Sequence, residues 1–106
     1  AQRQRFLHQE EDAMADAVRR NDAVAFFIAA RHAVQLQLGI QWQVQPESIT
    51  LTDIRQRDPE RAALLEPLFH QTNEIIYSGG ATRDLNLAEW DVQVRQSLLH
   101  LQPAAV

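Results

Sequence analysis

The chain has no cysteine and no lysine, and only three glycines and four prolines in 106 residues. Without cysteine there is no disulfide framework and no thiol chemistry, and compartment is left open. All ten basic residues are arginine and the net charge is −4. A nucleic-acid binder usually displays a basic face, and this sequence shows none. The scarcity of glycine and proline, with no strand-turn-strand spacing, argues against a sheet protein. No apolar stretch approaches the roughly 18 residues that cross a bilayer. The polar start AQRQRFLHQEED is no signal peptide, and the first residue is not Met, which points to a piece of a longer protein.

What remains is ordinary globular material. Hydrophobic residues make up 45% and charged residues 23% of the chain, values that suit one domain with one core. The punctuation is helical. A first helix is expected over residues 5–20, with Phe6, Met14, Ala17 and Val18 as its apolar stripe and Arg19-Arg20 at the negative end of its dipole. Asn21 or Asp22 caps a second helix over residues 22–38, ended by Gly39. Apolar residues surround most of this second helix, so it belongs at the centre, with Phe27 and Ile28 in the core.

The stretch GIQWQVQPES alternates Ile40, Trp42 and Val44 with glutamines. Period two admits a short strand, but no second strand is there to pair with it. The favoured expectation is an extended linker with Trp42 pinned to the core. Thr50 with Asp53 forms a capping pair for a short helix over residues 51–57. Asp58-Pro59 starts a fourth helix over residues 59–77, with Leu65, Leu68, Phe69, Thr72, Ile75 and Ile76 as its seam. Pro67 inside it predicts a kink or a split. Asn86 and Glu89 cap a fifth helix over residues 87–101, whose stripe is Leu87, Trp90, Val94, Leu98 and Leu101. Pro103 stops it and leaves residues 102–106 as a disordered tail. The expected fold is all-α: a long-long hairpin, a short helix, a long kinked helix and a C-terminal helix, in one domain over residues 1–106.

Gly79-Gly80 follow a helix rather than a strand, and no lysine accompanies them. They are therefore a turn and not a phosphate cradle. One of them is expected at positive φ, setting the crossing of the fourth and fifth helices, with Tyr77 packed on the fifth. Chemistry-bearing clusters are lacking. His8, His32, His70 and His100 fall one per helix without zinc spacing. Glu10, Glu11 and Asp12 read as a solvated face, and Ser78 and Ser97 lack a nucleophile motif. The expectation is no catalytic, cofactor-binding or metal-ligating residue. The candidate partner-facing residues are Trp42, Tyr77, Arg83 and Asp84, the last two in an exposed loop over residues 81–85.

The segment AVRRNDAVAFFIAARHAV resembles one tetratricopeptide hairpin, although nothing recurs about 34 residues later. The order NDAVAFFIAARHAV, SITLTDIR, LFHQTNEIIYSGG and LNLAEWDVQVRQSLLHL, across residues 12–101, resembles the C-terminal tail of BatD-type oxygen-tolerance proteins. Members of that family carry a secretion signal, extracytoplasmic β-sandwich domains, one membrane span and a helical cytoplasmic tail. The resemblance implies a non-enzymatic adaptor on the cytoplasmic face of the bacterial inner membrane, anchored by a span outside this sequence. It implies MoxR-type AAA+ ATPases or von Willebrand A domain proteins as partners, and it carries over no catalytic residue. Arg3 and Arg5 suit the cytoplasmic side of such a span. The competing expectations are a stand-alone tetratricopeptide-like module that oligomerises or binds peptides, and an enzyme or ligand pocket within the bundle.

Overall fold

Local capping chemistry places each helix end, and the ends determine how the helices stack. In the computed structural model, which describes residues 2–78 and 85–101, the order is α1 (Gln2–Arg20), α2 (Ala23–Trp42), a 3₁₀ turn (Pro46–Ser48), α3 (Leu51–Arg57), α4 (Pro59–Tyr77) and α5 (Leu87–Leu101). The chain is an all-α bundle.

The α1–α2 joint takes two residues. Asn21 adopts φ 54°, a left-handed conformation that asparagine tolerates better than most residues. Its N–H donates to Val18 O, and the N–H of Asp22 donates to Ala17 O. This pair closes α1 as a Schellman motif. The Asp22 carboxylate then accepts from the N–H of Ala25 at 3.1 Å and opens α2. One aspartate thus belongs to the end of one helix and the start of the next, and the two helices fold back antiparallel.

α2 is the central element. It touches α1, α4, α5 and the 3₁₀ turn, and Phe26, Phe27, Ala30, Ala33, Val34 and Leu38 are fully buried. Its 20 residues include a window of mean hydropathy 1.4, enough by length and composition to cross a bilayer, contrary to the sequence expectation; 61% of that window is buried inside the bundle. A bundle's core helix and a membrane span share these averages.

Several expectations about α2 and α4 are corrected. First, α2 does not stop before Gly39; it continues to Trp42 and closes at Gln43, whose φ of 56° supplies the left-handed cap. Gly39 serves a close approach instead: a Cβ there would meet Pro46 Cγ and Val44 O at 3.0 Å. The alternation of Ile40 and Trp42 is therefore helical, neither strand nor linker. Second, Ile28 is not core; it is 45% exposed, because it falls on the side of α2 that carries the partly exposed Arg31, His32 and Gln35. Third, Ile76 leaves the α4 seam and is 40% exposed, while Leu65, Leu68, Phe69, Thr72 and Ile75 stay buried. Pro67 does not split α4, which runs unbroken from Pro59 to Tyr77. Pro59 occupies its first turn, where its missing N–H costs nothing.

The remaining starts follow their signals. Thr50 and Asp53 form a reciprocal capping box on α3. Asp58 accepts from the N–H of Arg61 at the start of α4, and Asn86 accepts from the N–H of Glu89 at the start of α5. Leu85, expected in an exposed loop, is half-buried against the core. Gly79, Gly80, Arg83, Asp84 and the tail over residues 102–106 lie outside the described residues.

Candidate functional site

The packing of α2 against α4 defines where side chains are left over. Thr72 Oγ1 donates to Leu68 O at 2.7 Å and lies 3.5 Å from Phe27 O. Arg31 Nη1 donates to Asn73 Oδ1 at 3.5 Å, and Arg61 Nη1 donates to Gln41 Oε1 at 3.1 Å. α2 and α4 are therefore antiparallel, with Phe27 and Thr72 at one end and Gln41 and Arg61 at the other. Gln41 Nε2 also donates to Leu101 O, which fixes the end of α5 beside the end of α2.

This geometry separates the partner-facing candidates. Tyr77, expected to pack on α5, is 87% exposed. It follows Ile75 by two residues, about 200° around the helix, so the turn that buries Ile75 turns Tyr77 outward. Trp90 finds a different aromatic partner: its ring meets Phe27 edge-on, with centroids 5.1 Å apart and planes at 77°. Trp42 sits at the opposite end of α2. It is half-buried, and the Arg57 guanidinium lies 4.7 Å from its ring centroid. Tyr77 and Trp42 do not share a face, and Arg83 and Asp84 are outside the described residues.

The residues that do join Tyr77 are ones whose sequence pattern suggests the core. Arg31 is level with Asn73. Three residues back along α2 and three forward along the antiparallel α4 bring Ile28 level with Ile76. Ile28, Ile76 and Tyr77 are thus exposed apolar residues at the same end of α2 and α4. The signal is in the helical phase: Ile28 shares a side of α2 with Arg31, His32 and Gln35, and Ile76 and Tyr77 lie near Asn73 on α4, polar neighbours that mark the outer side.

A second apolar feature lies between α4 and α5. Leu64, Leu65, Pro67, Leu68, Trp90, Val94 and His100 line part of a groove of about 270 Å³. It contains no carboxylate and no guanidinium among its lining residues.

Most ion pairs lie within one helix or its cap, but a few join separate elements. The acidic trio is not a merely solvated face. Glu10 Oε1 lies 3.0 Å from His32 Nδ1, and Glu11 Oε2 lies 3.8 Å from Arg95 Nη1. Arg95 also donates to Glu11 O at 3.0 Å and to Asp91 Oδ1 at 2.9 Å, holding α5 to α1. His32 Nε2 faces Glu47 Oε1 at 3.4 Å. Glu10 and Glu47 stand at opposite ring nitrogens, so they do not converge on one ion, and among the described residues no group of three or more potential ligands could hold a metal. The Glu47 carboxyl is held below the usual range, first by a backbone N–H at Glu47 and then by its contact with His32. The Asp53 carboxyl is lowered by the backbone N–H and then the hydroxyl of Thr50. His70 and Glu66 form an i, i+4 surface pair at 3.3 Å.

No protein family, curated protein or solved structure matches this chain.

Proposed function

We propose that the chain is a non-enzymatic protein-interaction module, the helical tail of a membrane-anchored adaptor of the BatD type on the cytoplasmic face of the bacterial inner membrane. The observation that carries this reading is the exposure of Ile28, Ile76 and Tyr77 at one end of α2 and α4. Large apolar side chains left exposed at one end of a helix pair are the kind of surface a protein contact would use. Its position also fits an anchored tail. The Glu10–His32 contact sets α1 antiparallel to α2 and puts residue 2 at the Trp42 end. From there the level of Ile28 is roughly 18 Å away along α1. A span entering before Ala1 would leave this surface directed away from the bilayer, toward cytoplasmic partners. The segment order across residues 12–101 supplies the family part of the reading and the expected partners, a MoxR-type AAA+ ATPase or von Willebrand A domain proteins.

Affinity capture with the full-length protein from native-host membranes tests this. The reading expects one of those partners with the native sequence, and its loss with Tyr77→Glu or Ile28→Ser. Equal capture by native and variant proteins, or recovery of the full-length protein in the soluble fraction, overturns it. A second reading, a stand-alone tetratricopeptide-like module that oligomerises or binds peptides, draws on the uncharged groove between α4 and α5. It expects Leu64→Glu, and not Tyr77→Glu, to abolish association.

A further inference from the structure

The imidazole of His32 stands between α1, α2 and the 3₁₀ turn. Its Nδ1 lies 3.0 Å from Glu10 Oε1 on α1, and its Nε2 lies 3.4 Å from Glu47 Oε1 in the turn. Among the described residues, α1 and the turn each pack on α2 but not on one another. The ring is therefore the link between them. The adjacent charged residues point elsewhere: Arg31 reaches Asn73 of α4, and Glu11 turns to Arg95 of α5.

A carboxylate only accepts, and a neutral imidazole has one N–H to give. Both contacts are hydrogen bonds only while the ring carries two protons. With one proton, one nitrogen turns its lone pair toward a carboxylate. Exposure decides which contact survives. The Glu10 side chain is 24% exposed and holds the shorter contact; the Glu47 side chain is 70% exposed and can turn into water. The turn itself stays in place, because Pro46 sits against Gly39 and Gln35 Nε2 donates to Ile49 O at 3.0 Å. We infer that His32 is a proton-dependent clasp: doubly protonated, it joins Glu10 of α1 to Glu47 of the turn, and on losing one proton it keeps Glu10 through Nδ1–H and releases Glu47. The Glu47 carboxyl is ready for this role, since it is held below the usual range, first by the backbone N–H at Glu47 and then by His32. Histidine changes charge between roughly pH 5 and 8. The Glu47 contact is thus present at the acid end of that window and lost at the alkaline end, the opposite sense to the loss of carboxylate pairs in stronger acid. The clasp operates whether or not a partner binds.

NMR of the ring nitrogens and of the glutamate carboxyls, in isotope-labelled protein titrated across roughly pH 5 to 8, tests this. The expected result is a proton on both His32 nitrogens at the acid end and on Nδ1 alone at the alkaline end. The Glu47 carboxyl signal should shift with the same midpoint as His32, and His32→Gln should abolish that shift. Glu10→Ala should move the proton of the neutral ring to Nε2, where Glu47 is left to accept it. Glu47→Ala should leave it on Nδ1. All three side chains reach solvent, so the variants fold, and an unchanged far-UV CD spectrum verifies it. A neutral ring protonated at Nε2 in the native protein, or a Glu47 signal that does not follow His32, overturns the inference. So does an Nδ1–H form that persists in Glu10→Ala.

Discussion

The α1–α2 pair is rich in buried alanine; the α4–α5 pair carries larger residues and leaves space. Ala17 on α1 and Ala29, Ala30 and Ala33 on α2 are buried, and this is the most extensive helix pair in the bundle. Small side chains let two helix axes approach until backbone and side chains fill the seam. α4 and α5 touch much more sparingly. Leucine, proline and tryptophan hold their axes apart, and a groove of about 270 Å³ remains. One seam serves stability. The other leaves surface that a partner or ligand could use.

The comparison is broken most severely at Phe27, which stands between the two regions and meets Trp90 of α5. Phe27→Ala should cost roughly 3–5 kcal/mol, because the ring is fully buried and the site cannot collapse onto it. Urea unfolding followed by CD measures this. An unchanged midpoint would mean that α2 is not the central element.

Adding volume sharpens the contrast. Ala33→Leu places a large side chain where the seam is closed and should cost about 1–3 kcal/mol. Ser97→Leu adds the same kind of side chain beside the open groove and should stay within about ±0.5 kcal/mol. Thermal melts of the two variants decide it. Similar losses in both would show that the seams are equally tight.

Removing the shared cap tests the joint of the tight seam. Asp22→Ala should cost about 1 kcal/mol, with Asp22→Asn retaining most of the stability, since the amide oxygen still accepts from the N–H of Ala25. Denaturant midpoints compare the two.

The smallest effect is acid sensitivity. Glu47 and Asp53 both have lowered pKa values in the fold. A carboxyl lowered by folding stabilises above its unfolded value, and that contribution is lost as pH falls through the folded value. Stability should therefore fall as the solution becomes more acidic than the usual carboxylate range, and Asp53→Asn should flatten the slope. Urea midpoints at a series of pH values check this. An unaltered slope would place the acid-sensitive groups elsewhere.

Legible in the sequence is what local chemistry decides. Thr50 with Asp53, Asp58 with Pro59, and Asn86 before α5 each mark a helix start, because a capping side chain and its N–H lie within one turn. Gly39 misleads because glycine has two uses, positive φ at a helix end and close approach within a helix, and only the position of Pro46 tells them apart. Ile28 and Ile76 read as core because an apolar residue beside a buried one looks like part of its stripe. The polar residues one turn away, Arg31 and His32 beside Ile28 and Asn73 beside Ile76, mark the outer side instead. The Glu10–His32 and Glu11–Arg95 contacts join residues distant in sequence, so no local pattern announces them. The candidate surface is legible only through Tyr77, and its other members emerge once α2 and α4 are set antiparallel.

The central claim is that the bare end of the α2–α4 seam is the working face of this bundle. Photo-crosslinking in the full-length protein, in native-host membranes, tests it most directly. A photoreactive residue is placed in one sample at Tyr77 and in another at Leu64, on the rim of the α4–α5 groove. The account predicts a protein adduct at position 77 and little at position 64. Adducts of equal yield at both positions, adducts at 64 alone, or lipid in place of protein at 77 would contradict it.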